Sequence, residues 1–258
     1  MELNTTLIVV GMGLVGLLGW RRVFPHLRSL QTTDTSRDGV WLALVAYVVM
    51  TIVVMLLRDQ LQDATLVRLM TFQALASLLG IGAMLILAGR RRGGLGALGL
   101  RNHRGPPALL VALFALLAFF PLFLLIDWLN RTVLGFMDVE VGLQKNLQSF
   151  ISEDGARSSV LAWAAMVAVI PLCEELIFRG ALFGGLRRVL HPVAAMLISA
   201  LVFGIMHESI VLLPAAALGF ALAFLYEITG SLSVPILFHG LHNGLTLTLA
   251  SLYPDSFT

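Results

Sequence analysis

The chain is predicted to fold as an all-α, polytopic membrane helix bundle with about eight transmembrane helices. Three observations lead there. Of its 258 residues, 58% are apolar and only 12% charged, against about 25% charged in an average soluble domain. Its mean hydropathy is +0.91. Apolar segments close to the roughly 20 residues needed to cross a bilayer recur along its whole length. Too few polar side chains exist to cover a soluble core, which excludes soluble, disordered and fibrous classes. A single cysteine, Cys173, excludes a disulfide scaffold; it is expected to pack as a small apolar residue.

In chain order the predicted spans are Thr5–Trp20, Val40–Leu57, Leu69–Ala88, Ala108–Ile126, Val160–Leu176, Val193–Met206, Ile210–Tyr226 and Val234–Leu249. Glu2 precedes the first and Arg21 and Arg22 follow it. That is the reverse of a cleavable signal peptide, so it is read as an uncleaved helix with its N-terminus outside. Threading onward puts Arg21, Arg22, Arg28, Arg37, Arg90, Arg91, Arg92, Arg101, Arg104, Arg179, Arg187 and Arg188 in inside loops. Arg58, Arg68, Arg131, Lys145 and Arg157 fall outside, a 12 to 5 split that favours both termini outside. The net charge of +2 is therefore topological, and no nucleic-acid partner is expected. Two polar stretches interrupt the spans. Gly89–Pro107, rich in Gly and Arg, is expected along the inner surface. Within Leu129–Ser159, the segment Met137–Phe150 spaces apolar residues like an interfacial amphipathic helix, or else is a solvated loop.

No internal repeat or soluble domain is evident, so residues 1–258 read as one membrane domain. Its first 150 residues supply scaffold helices, and residues 155–250 carry the chemistry. A charge at the bilayer centre costs about 2.5–3.5 kcal/mol on insertion scales, and the first four spans hold none in their interiors. The second half holds Glu174, Glu175 and Arg179 at the end of the fifth span, His207 and Glu208 after the sixth, and His239, His242 and Asn243 in the eighth. Intramembrane ionisable groups point to function.

In a helix Glu175 and Arg179 are four residues apart and can pair. Glu174 points about 100° away and is assigned as a general base; otherwise all three are helix-end charges at the interface. Phe203 and His207 share a helix face, as do His239 and Asn243. The less chemical reading of the latter pair is an interhelical polar clamp, and a clamp is preferred for His242. Glu208 reads as a helix-end charge. Together, Glu and His can deprotonate a water, while His and Asn can stabilise the oxyanion of a hydrated amide. The same groups, Glu174, His207 and His239, could instead hold zinc. Either chemistry hydrolyses a peptide bond within the membrane.

Glu-Glu-x-x-x-Arg at 174–179, Phe-x-x-x-His at 203–207 and His-x-x-x-Asn at 239–243 occur in this order, with Pro171 and a Phe-Arg-Gly run nearby. Over about residues 155–250 the chain resembles the CAAX protease and bacteriocin-processing (Abi) family of intramembrane endopeptidases, the type II CAAX prenyl endopeptidase group. The resemblance implies an eight-helix bundle around a polar cavity. It also implies Glu174 as catalytic base with His207 beside it, Glu175 and Arg179 as a supporting pair, and His239 with Asn243 as the oxyanion or ligand site. A metal-free mechanism is favoured, with zinc or another divalent metal as the alternative. Eukaryotic members trim three residues after a prenylated cysteine. Similar prokaryotic proteins are linked to bacteriocin maturation, self-immunity and the removal of C-terminal sorting tails. The expected substrate is a membrane-embedded or membrane-anchored protein or peptide, and the expected location a bacterial inner membrane. Sixteen Arg to one Lys is consistent with a GC-rich bacterial genome. Two rivals stand beside this reading: a non-catalytic membrane scaffold or immunity protein retaining the motifs, and an ion-coupled transporter. The confinement of the polar groups to one half counts against the transporter, whose halves usually repeat.

Overall fold

A computed structural model describes residues 11, 13–19, 39–56, 65–89, 106–139, 145–152 and 159–253. Within them lie α1 (Gly39–Leu56), α2 (Leu66–Gly89), α3 (Ala108–Phe136), α4 (Lys145–Ser152), α5 (Val160–Leu186), α6 (Pro192–Ile205), α7 (Leu212–Thr229) and α8 (Ser233–Leu252). A 3₁₀ turn, Ser209–Val211, leads into α7, and residues 13–19 are helical. No strand occurs among the described residues.

Where they are described, the eight apolar segments are helical nearly throughout. Leu66–Ile86, Ala108–Phe136, Val160–Leu186 and Ser209–Thr229 are long and apolar enough to cross a membrane, and Pro192–Ile205 is a shorter apolar helix. Large apolar side chains also point outwards, among them Leu75, Leu79 and Ile86 of α2 and Leu122, Leu125 and Trp128 of α3. A water-soluble monomer does not expose such stretches. The protein is an integral, multi-pass helical membrane protein. Most of the Gly89–Pro107 stretch, most of the first span and the arginines at 21, 22, 28, 37, 58, 90, 91, 92, 101, 104 and 157 used for sidedness lie outside the described residues.

The chain sorts into two compact units, each drawing on both halves of the sequence. Residues 1–31, 101–142 and 192–241 form the first. In it, Gly13, Gly16 and Gly19 meet α3 at Pro121, at the backbone of Leu117 and Ala118, and at Phe114. The absence of side chains on that stripe lets the two helices approach at backbone distance. Phe119 and Phe123 of α3 meet Phe238 of α8 edge-on, at centroid distances of 6.4 and 6.2 Å. α7 ends at Gly230, whose φ of 65° closes the helix in the left-handed conformation that suits glycine.

Residues 32–100, 143–191 and 242–258 form the second unit. Its core gathers Leu66, Met70, Phe150, Ala165, Ile170 and Leu247. α1 and α2 pack closely at Gly80, where an added Cβ would stand 2.7 Å from the Ala46 carbonyl oxygen. The amphipathic segment predicted at 137–150 is helical over Lys145–Ser152. On it Phe150 is buried and meets Trp163 edge-on at 5.7 Å. Phe150 and Leu147 of this pattern join the core of the second unit.

Candidate active site

α5 carries the acidic motif, and its winding is irregular. Ser159 caps its start, its hydroxyl accepting from the Ala162 N–H at 3.3 Å. Residues Ala165–Val169 and Leu176–Phe183 are π-helical, with a regular α-segment, Ile170–Glu175, between them. Such wide turns are rare and recur at functional sites. Pro171 explains part of the first one. It has no N–H, and the N–H of Ile170 bonds to the Ala165 carbonyl. The Met166 carbonyl therefore accepts from elsewhere: Asn243 Nδ2 donates to it at 2.9 Å. Gly244 lies alongside, with Val167 3.7 Å from where a Cβ would sit. Within the second unit, then, Asn243 fastens α8 to the widened part of α5.

The fifth span, predicted to end at Leu176, continues to Leu186. Glu174, Glu175 and Arg179 consequently lie inside a helix and not at its end, and Arg179 drops out of the loop charges. Apolar residues from Ile177 to Leu186 had shown the continuation, but the three charges had masked it. The predicted pair is present: Arg179 Nη1 donates to Glu175 Oε1 at 3.0 Å, and both side chains are fully buried. The acidic partner is what allows an arginine, the largest fully buried side chain among the described residues, to stay there. Glu174 is half-buried on the same α-segment. Cys173 is buried, as its apolar reading required.

In the first unit the histidines assemble around Phe203. His207 follows the end of α6 in a turn, not on the helix itself. It stays beside Phe203, with ring centroids 4.6 Å apart, and its Nδ1 lies 2.7 Å from the Phe203 carbonyl oxygen. A carbonyl only accepts, so Nδ1 carries a proton, and in the neutral ring Nε2 is then the acceptor. His239, buried on α8, meets the same Phe203 ring edge-on at 6.0 Å. Phe203 is fully buried and packs close to Gly219 of α7, where a Cβ would stand 3.2 Å from it.

The helix α8 carries His239 and Asn243 one turn apart, and His242 beside them. Within each unit, no three described His, Cys, Asp or Glu side chains form a group able to hold a metal ion. Sequence reasoning overlooked one residue near this chemistry. Asn130 is buried on α3, and its Nδ2 donates to the Ile210 carbonyl at 2.7 Å. α3 had been expected to stop at Ile126, with Asn130 in a polar loop. The Asp127–Arg131 pair, four residues apart and joined at 2.8 Å, was the signal that the helix goes on.

Residues 156–245 match the Rce1-like family, described as type II CAAX prenyl endopeptidase Rce1-like. Over 74 residues the chain is 43% identical to a Bacillus subtilis protein named "Putative membrane peptidase YdiL", covering 28% of this chain and 30% of that protein. Over 93 residues it is 31% identical to the membrane-embedded CAAX protease MroQ of Staphylococcus aureus, covering 33% and 38%. The chain thus spans about a third of the length of the curated relatives it matches. No solved structure matches.

Proposed function

With residues 156–245 matching the Rce1-like type II CAAX prenyl endopeptidase family, we propose that the protein is an intramembrane endopeptidase. It hydrolyses a peptide bond of a membrane-associated or C-terminally anchored protein or peptide, in a bacterial inner membrane. The observation that carries this reading is the orientation of His207. Its Nδ1 proton is committed to the Phe203 carbonyl, so in the neutral imidazole Nε2 is the acceptor, the form required of a base.

In this mechanism Glu174 and His207 activate a water. The proton leaves the water for the base as the oxygen attacks the scissile carbonyl carbon, and charge develops on the carbonyl oxygen. His239 and Asn243 donate hydrogen bonds to that oxyanion. An amide nitrogen has two hydrogens, so Asn243 can hold the Met166 carbonyl with one and offer the other. The C–N bond then breaks, and the proton held by the base passes to the departing amine. Glu175 and Arg179 support Glu174 by fixing the helix around it. The mechanism needs no metal; in the zinc alternative, Glu174, His207 and His239 would be the ligands and the metal would polarise the water.

A non-catalytic scaffold is the second reading, and the Asn243–Met166 bond favours it, since a packing clamp needs that contact alone. Purified protein in lipid nanodiscs, supplied with anchored reporter peptides bearing either a free or a farnesylated C-terminal cysteine motif, separates the two. Cleavage by the wild type and its loss in a folded Glu174→Gln variant is the expected result. Cleavage retained by Glu174→Gln overturns the assignment of the base, and no cleavage of any anchored reporter supports the scaffold.

A further inference from the structure

We propose that Asn130 is a positioning residue for His207, an inference that rests on the protease reading above. Asn130 lies on α3, outside the 156–245 match, in the half of the sequence that reads as inert scaffold. The turn it reaches is the segment that carries the chemistry. Between Ile205, the end of α6, and Leu212, the start of α7, the chain leaves the helical ladder. His207 and Glu208 lie in that gap. Within the segment Met206 and His207 donate to Val202 and Gly204 at 3.2 and 3.1 Å, Val211 donates to Glu208 at 2.9 Å, and Leu212 closes the 3₁₀ turn on the Ser209 carbonyl.

A brace from outside is Asn130, 4% exposed, whose Nδ2 donates to the Ile210 carbonyl at 2.7 Å. A buried amide with a short bond to a backbone carbonyl fixes that carbonyl in place. The fixed turn in turn keeps His207 close enough to Phe203 for its 2.7 Å Nδ1 contact, which selects the tautomer. The same helix steadies the second imidazole, because Phe119 and Phe123 hold Phe238, the residue before His239. α3 thereby serves as the template on which both histidine segments of this unit are set.

The test reads the tautomer directly. Full-length protein labelled with ¹⁵N-histidine is placed in detergent micelles, and long-range ¹H–¹⁵N correlations report which imidazole nitrogen is protonated. His207→Gln identifies the relevant signals. The wild type should show a single Nδ1–H form at His207. Asn130→Leu, similar in shape but without the amide, should lose it and show both tautomers, while Asn130→Gln should restore it. On a cleavable reporter, Asn130→Leu should lower kcat by about 10–100-fold, as expected of a displaced catalytic group, with KM unchanged. A folded Asn130→Leu variant that keeps the single tautomer overturns the assignment. Should that variant fail to fold, Asn130→Ser, too short to reach Ile210, is read by the same criterion. The tautomer measurement needs no substrate. A wild type that cleaves nothing would therefore refute the protease reading, while the role of Asn130 would still be decided by the spectrum.

Discussion

Asn243 donates its side-chain amide to the main-chain carbonyl of Met166 at 2.9 Å, in the stretch where Pro171 supplies no N–H to its own helix. One helix thus completes the hydrogen bonding of another. In the membrane, where water cannot stand in, an unsatisfied carbonyl is costly, so proline and asparagine are energetically linked although 72 positions separate them.

That linkage is measurable. Asn243→Ala should lower stability by about 1 kcal/mol, the usual net value of such a bond. Pro171→Ala returns an N–H to α5, and in that background the cost of Asn243→Ala should shrink. Thermal melts of the four proteins in detergent give the coupling, expected at about 0.5 kcal/mol or more. Strict additivity would show that the two residues do not share the carbonyl.

The buried Glu175–Arg179 pair makes a prediction of opposite texture. Removing one partner, as in Arg179→Met, leaves a charge in the protein interior and should cost about 3–5 kcal/mol. Replacing both with apolar residues, Glu175→Leu with Arg179→Met, should recover much of that loss. Arg179→Lys should not substitute fully, because a compact ammonium lacks the planar fork. Detergent melts of the singles and the double decide it, and a double mutant less stable than either single would refute the account.

Gly219 gives Phe203 its seat. A Cβ there would stand 3.1 Å from Ala200 Cα and 3.2 Å from Phe203. Gly219→Val should cost about 1–3 kcal/mol through overpacking. It should also push Phe203 against His207 and His239, so that cleavage falls more than stability alone explains. Activity assayed well below the melting temperature separates the two effects; unchanged turnover would show that Phe203 has room to give.

Metal dependence follows from the same proposal. Dialysis against a strong chelator should leave reporter cleavage within about twofold of the untreated enzyme, since the water is activated by side chains. Loss of activity that zinc restores would transfer Glu174, His207 and His239 to the role of ligands.

The spans were legible because hydrophobicity over about 20 residues is a strong signal and lipid imposes helix on it. The Glu175–Arg179 pair was legible for a similar reason: four-residue spacing is a local rule that needs no tertiary knowledge. Three features were not. α5 runs ten residues past its predicted end, from Leu176 to Leu186, because paired charges look polar to a hydropathy window although the pair is buried. His207, placed after the sixth span, still keeps beside Phe203 because its ring bonds to the main chain, which nothing local shows. Asn130 escaped because its partner is a backbone carbonyl 80 positions away, and side-chain-to-backbone contacts leave no mark on residue patterns.

The two wide turns of α5 also govern which way its residues face. A helical wheel drawn at uniform pitch for Val160–Leu186 loses phase at Ala165, and again at Leu176. Direction along this helix is therefore a matter of conformation as much as of residue count. Deleting one residue within 165–169 would let ordinary winding replace the wide turn and leave the later side chains near their present bearing, whereas winding the same residues as a regular α-helix would swing every later side chain by about 100°. Relaxing the local geometry would turn Glu174 away from its present bearing. The irregular winding acts as a vernier, setting the acidic motif at an angle that a regular helix of the same length would miss.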